Sequence, residues 1–97
     1  MPSGCRIRAV LERDVERHLV RRVKEAGGLA LKWISPGMAG VPDRICVMPG
    51  GRIVLVELKR PGGALRPVQV RVIGILQRLG AEVVVLNSKE QIDAVFT

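Results

Sequence analysis

Aromatic side chains are nearly missing from this 97-residue chain, which has one tryptophan (Trp33), one phenylalanine (Phe96) and no tyrosine. A surface that grips single-stranded nucleic acid by stacking needs several exposed rings, so such a platform is disfavoured. Cysteine is scarce too. Cys5 and Cys46 make neither a disulfide framework nor a CxxC metal knuckle, which suits a reducing compartment. The one histidine, His18, has no histidine partner and reads as structural rather than as a ligand. No stretch approaches the ~20 apolar residues of a membrane span, and no apolar run follows the N-terminal charges as a secretory signal would require. A GxxxxGK(S/T) phosphate loop is absent, so nucleotide binding has no support. Without repeats, low-complexity tracts or linkers, and with 47% apolar composition, residues 1–97 are expected to form one domain.

Acidic residues are the other shortage, and their placement is informative. Sixteen Lys and Arg face nine Asp and Glu, a formal charge of +7 that points to a polyanionic partner, nucleic acid before membrane. Between Ala26 and Ala81 there are eight basic residues and only two acids, Asp43 and Glu57. One acid in a basic surface is an ordinary salt-bridge partner. A phosphodiester enzyme, however, needs cationic flanks around a small anionic pocket for a divalent metal.

Hydrophobic spacing supplies the framework. Leu11, Val15, Leu19, Val23 and Ala26 form one stripe of a helix from Val10 to Ala26, stopped by Gly27-Gly28. Leu29–Ile34, Asp43–Met48 and Ile53–Lys59 read as strands, the last two joined at Pro49-Gly50-Gly51 as a hairpin. A second helix is predicted over Leu65–Leu79, with Leu65, Val68, Val72, Leu76 and Leu79 on one face. Glu82–Asn87 reads as a buried strand, and Ser88 with Gln91 as a capping box that opens a terminal helix. The order α-β-β-β-α-β-α implies an α/β (α+β) fold, a small mixed sheet flanked by helices.

In the third strand, period-two alternation puts Ile53, Leu55, Glu57 and Lys59 on one face and Val54, Val56 and Leu58 on the other. A Glu-x-Lys triplet alone is weak, because a strand surfacing from a core produces it as readily. The hairpin strengthens it. A three-residue loop sets Val47 opposite Ile53, Ile45 opposite Leu55, and Asp43 opposite Glu57, with Cβ atoms about 5 Å apart. Opposed carboxylates destabilise a sheet unless a cation lies between them. A four-residue loop would shift the register and separate the pair. In the first helix Glu12 and Glu16 project among the apolar residues, where a carboxylate is costly unless protonated, paired or metal-linked. Glu12 is equally explained by the helix dipole. Trp33 reads as a core anchor in preference to an element inserted into DNA, and Cys46, on the face opposite Asp43, as a core residue.

The runs Gly40-Val41-Pro42-Asp43 and Val56-Glu57-Leu58-Lys59 resemble the signature of PD-(D/E)xK nucleases. Lys32-Trp33-x-Ser35-Pro36-Gly37-x-x-Gly40 through Arg44, with Leu65-x-Pro67-x-Gln69 downstream, is similar to the VRR-NUC branch in particular. The resemblance spans Glu12 to about Ser88 and implies a restriction-endonuclease-like core. It implies that Asp43 and Glu57 bind Mg²⁺ with the Leu58 carbonyl as a further ligand, Mn²⁺ being expected to substitute. Lys59 would orient or activate the attacking water and stabilise charge on the phosphate. Glu16 would supply the carboxylate of the first helix, with Glu12 as the alternative, and Gln69 would reach the same pocket. Lys32, Arg44 and Arg60 are candidate phosphate contacts, although a solvated basic face explains each nearly as well.

These observations lead to an expected Mg²⁺-dependent DNA endonuclease that reads shape rather than sequence, since no helix-turn-helix or zinc-finger pattern is visible. Small VRR-NUC proteins of bacterial and phage type resemble junction resolvases. A homodimer acting on four-way or branched DNA in the cytoplasm of a bacterial or phage-infected cell is therefore expected. The alternatives are a basic nucleic-acid-binding module without turnover, or a structural subunit of a larger nuclease or helicase complex.

Overall fold

In the computed structural model the backbone is described for residues 4–97 and the side chains for residues 12–97. Cys5 and Leu11 thus lie outside the described side chains. Helix α1 runs Gly4–Glu25, beginning well before the apolar stripe that predicts it. It is followed by β1 (Leu29–Lys32), β2 (Arg44–Val47), a tight turn at Pro49–Gly51, β3 (Ile53–Leu58), α2 (Pro67–Arg78), β4 (Glu82–Leu86) and α3 (Lys89–Val95). The strands lie in the order β1-β2-β3-β4. The first three form an antiparallel meander, and β4 joins β3 in parallel after the crossover through α2.

The hairpin has the register expected of a three-residue loop. Gly50 and Gly51 take φ of 80° and 83°, a region closed to most side chains, and the Met48 N–H donates to Arg52 O at 2.7 Å. Val47 consequently pairs with Ile53 and Ile45 with Leu55. One step beyond the last ladder pair, Asp43 stands level with Glu57.

Alternation along β3 divides the molecule into two cores. Val54 and Val56 point to one face and are covered by Val15, Leu19 and Val23 of α1 and by Ile92 and Phe96 at the C-terminal end, with Cys46 enclosed among them. Leu55 points to the other face and meets Ile73 of α2 and Val83 of β4, with Trp33, Ile45 and Leu65 packed around them. Trp33 is thus a half-buried anchor of this second core.

Several boundaries depart from the spacing. β1 ends at Lys32, and Ile34 leaves the sheet to stand 80% exposed. Leu79 is also 80% exposed: α2 turns Gln69, Val72 and Ile73 inward, and Leu79 caps the helix beyond its last packed turn. At α3 the Ser88 hydroxyl accepts from Gln91 N–H as expected, but the Gln91 amide oxygen accepts from Asn87 N–H, one residue earlier than the capping-box pattern.

Candidate active site

The site forms where the meander meets the N-terminal end of α2. Gly40 holds the loop before β2 against that helix: its φ is +88°, and a Cβ there would lie 2.7 Å from the Val68 carbonyl oxygen. Pro42 behind it is buried, and Asp43 emerges exposed at the head of β2. The Leu58 N–H donates to Asp43 Oδ2 at 3.0 Å, tying the end of β3 to this carboxylate.

Glu57 is the unusual residue. It is only 2% exposed, although it is ionisable and lies beside another acid. Its Oε2 accepts from Gln69 Nε2 at 2.9 Å and lies 3.6 Å from Lys59 Nζ, while Oε1 is buried with no hydrogen-bond partner. Burial, and then the neighbouring Asp43 charge, push its carboxyl up from 4.5 to about 7, against the pull of Lys59 and Gln69. A buried, unpartnered carboxylate oxygen next to a second carboxylate is a defect in a metal-free fold. It is also a donor set suited to a hard divalent cation, which takes oxygen ligands.

Gln69 is held at both ends. Its Oε1 accepts from the Arg66 N–H at 2.8 Å, and because that backbone group can only donate, the amide orientation is determined and Nε2 must face Glu57. The start of α2 therefore fixes a donor on the buried carboxylate.

A cleft of about 260 Å³ is lined by Asp43, Glu57, Leu58, Lys59 and Gln69, together with Glu12 and Glu16 from successive turns of α1 and Arg66 from the foot of α2. The residues read from sequence as catalytic or metal-binding thus share one cavity. The three proposed phosphate contacts separate. Arg44 is only 12% exposed; its guanidinium donates to Glu16 Oε1 at 3.0 Å and to the Ala30 carbonyl at 3.3 Å, so it clamps α1 to the sheet. Lys32 is exposed beside Asp43, in a neighbouring depression. Arg60 does not line the cleft, because the turn closed by Gly63 N–H on Arg60 O carries the chain away. Arg66 was missed from sequence; its position three residues before Gln69, at the start of the helix, was the available signal.

His18 is engaged structurally, 2.8 Å from Asp93 Oδ1, and joins α1 to α3. Among the described residues no helix is long and apolar enough to cross a membrane.

Comparison with known proteins identifies relatives over most of the chain. The family model of the VRR-NUC domain matches residues 5–90. The chain is 44% identical over 84 residues to a candidate nuclease, p44, of Acyrthosiphon pisum secondary endosymbiont phage 1, covering 87% of this chain and 90% of the relative. A solved structure of a VRR-NUC domain superposes with a TM-score of 0.82 at 32% identity, covering 87% of this chain and 91% of the other.

Proposed function

Because this chain belongs to the VRR-NUC domain family and is a nuclease of it, we propose that it is a Mg²⁺-dependent endonuclease that hydrolyses DNA phosphodiesters, acting as a homodimer on branched or four-way DNA. The observation that carries the metal dependence is the unpartnered Glu57 Oε1, buried beside Asp43. Asp43, Glu57 and the Leu58 carbonyl would hold the ion, with Mn²⁺ as a substitute. When bound, the ion supplies a water of lowered pKa and neutralises charge on the phosphate.

The remaining chemistry belongs to the chain itself. Lys59, one strand position past the exit of β3 and 20% exposed, presents its ammonium at the cleft mouth, where it orients the attacking water and offsets charge on the phosphoryl oxygens. Gln69 keeps Glu57 Oε2 engaged and so leaves Oε1 as the oxygen without a partner. Glu16, fixed by Arg44, supplies the carboxylate of α1, with Glu12 one turn away on the same cavity. Arg66 at the cleft edge is a candidate phosphate contact alongside Lys32. Arg44 contributes through Glu16 instead.

The homodimer reading is supported by the sheet face that carries the second core. α2 packs over β4 and leaves the β1–β2 end of that face bare, with Leu29, Leu31, Val47 and Ile53 exposed on adjacent strands. A second copy related by a two-fold axis would cover this patch and suit a two-fold junction.

The test uses labelled four-way, flap and linear duplex DNA with Mg²⁺, Mn²⁺ or EDTA, alongside molar mass in solution. Paired symmetric nicks in the junction by a dimer, dependent on metal, are expected. Metal-independent, salt-sensitive binding without a cut product would leave a non-catalytic DNA-binding module.

A further inference from the structure

A depression of about 280 Å³ adjoins the cleft, and Glu16 and Asp43 line both. Its other walls are Lys32, Trp33, Ile34 and Arg44. We propose that it seats the nucleotide next to the scissile phosphate, with Ile34 packed on the base and Lys32 on the backbone, so that cleavage favours a strand whose base at that position can leave the stack. This inference rests on the nuclease reading above and names what makes a substrate acceptable to it.

Contiguity is the first reason. A strand whose phosphodiester lies between Asp43 and Lys59 must continue out of the cleft, and this depression is reached across Asp43 itself. Its chemistry is the second. Lys32 is exposed and has no carboxylate within ion-pair distance among the described residues, whereas Arg44 on the same wall is already committed to Glu16. Ile34 holds an aliphatic side chain 80% exposed immediately past the end of β1, flanked by the half-buried Trp33. A cation beside an exposed apolar group matches a nucleotide, which is anionic at its phosphate and apolar across its base.

Rigidity is the third. The Trp33 N–H donates to the Asp43 carbonyl at 2.9 Å, and the Trp33 ring lies in the second core, so residues 32–34 cannot drift relative to the carboxylate. A base held there is held in fixed register with the phosphate to be cut. In an intact duplex, unstacking a base costs a few kcal/mol, least where pairing is already broken. The subsite thus converts a local weakness in DNA, at a branch, nick or end, into a better-placed phosphodiester.

The experiment compares wild type with Ile34→Ala on branched DNA, on uniform duplex and on bis(p-nitrophenyl) phosphate, which has no flanking nucleotide. In parallel, 2-aminopurine beside the cut reports unstacking with Ca²⁺ in place of Mg²⁺. Ile34 is exposed, so the variant should keep its thermal midpoint. Its hydrolysis of the small diester should be unchanged, its kcat/KM on branched DNA should fall about tenfold, and the rise in 2-aminopurine fluorescence should be lost. Lys32→Gln should lower the salt slope of DNA binding by about one. Equal cleavage of branched DNA by Ile34→Ala with the fluorescence rise intact would overturn the subsite and leave the nuclease reading standing. Parallel loss on DNA and the small diester would make Ile34 a support for Asp43 and also overturn it. A wild type inert toward every substrate would remove the nuclease reading, and the subsite with it.

Discussion

Replacing Glu57 by Gln should make the metal-free protein more stable while leaving it unable to cut DNA. Burial and the Asp43 charge place the Glu57 carboxyl at about 7 in the folded chain, against 4.5 as its ordinary value. A carboxyl raised on folding contributes its full stability below pH 4.5, and loses it as pH rises through 7, because the unfolded chain releases the proton more easily. The difference corresponds to ~3 kcal/mol lost by pH 8. Gln is isosteric and uncharged, its oxygen can still accept from Gln69 and Lys59, and it removes the charge that the neighbouring Asp43 opposes. In EDTA at pH 8 the variant should therefore melt roughly 12–24 °C above wild type, given ~4–8 °C per kcal/mol for a domain of this size. At pH 4.5 the two curves should converge. Mg²⁺ should raise the wild-type midpoint and leave the variant's almost unmoved. Thermal denaturation followed by circular dichroism reads all of this. A variant less stable than wild type at pH 8 in EDTA would mean the opposite, that Lys59 and Gln69 already hold Glu57 comfortably as an anion.

Gln69→Ala removes the donor to Glu57 and the acceptor for the Arg66 N–H, and should cost ~1–2 kcal/mol of stability and about 10–100-fold in cleavage; parallel melting and kinetic assays check it. Leu31→Glu and Ile53→Glu place charges on the bare sheet face and should give monomers by light scattering, with folding intact, if that face joins two copies. Cys46 is fully buried, and desolvation pushes its thiol up to about 11, so in a Cys5→Ser background it should resist thiol reagents at pH 8 until the protein unfolds.

How much of this was legible in the sequence follows from the range over which each feature is determined. The register that brings Asp43 level with Glu57 is local: it depends on a three-residue loop at Pro49-Gly50-Gly51 and on period-two alternation, both readable from neighbours in the chain. The same holds for the α1 stripe and the division of Cys46 and Asp43 between faces. Features that depend on how elements dock were not readable. Arg44 looked like a free cation because its partner, Glu16, lies 28 residues away on a helix whose tilt no spacing reveals. Arg66 reaches the cleft only because the crossover through α2 returns the start of that helix to the end of β3. Leu79 matched the apolar period but lies past the packed part of α2, and Ile34 matched strand composition although the sheet ends two residues earlier. Glu12 and Glu16 remain side by side in the cleft because residues one helical turn apart share a face.

Glu57 is a carboxylate buried at a cost in stability, and phosphodiester hydrolysis is expected to depend on it. The most direct test is cleavage of labelled branched DNA by wild type and Glu57→Gln, side by side, with Mg²⁺ or EDTA. Cut product is expected from wild type with Mg²⁺ alone, and none from the variant despite its higher melting temperature. Equal cleavage by both proteins, or cleavage by wild type that persists in EDTA, would contradict it.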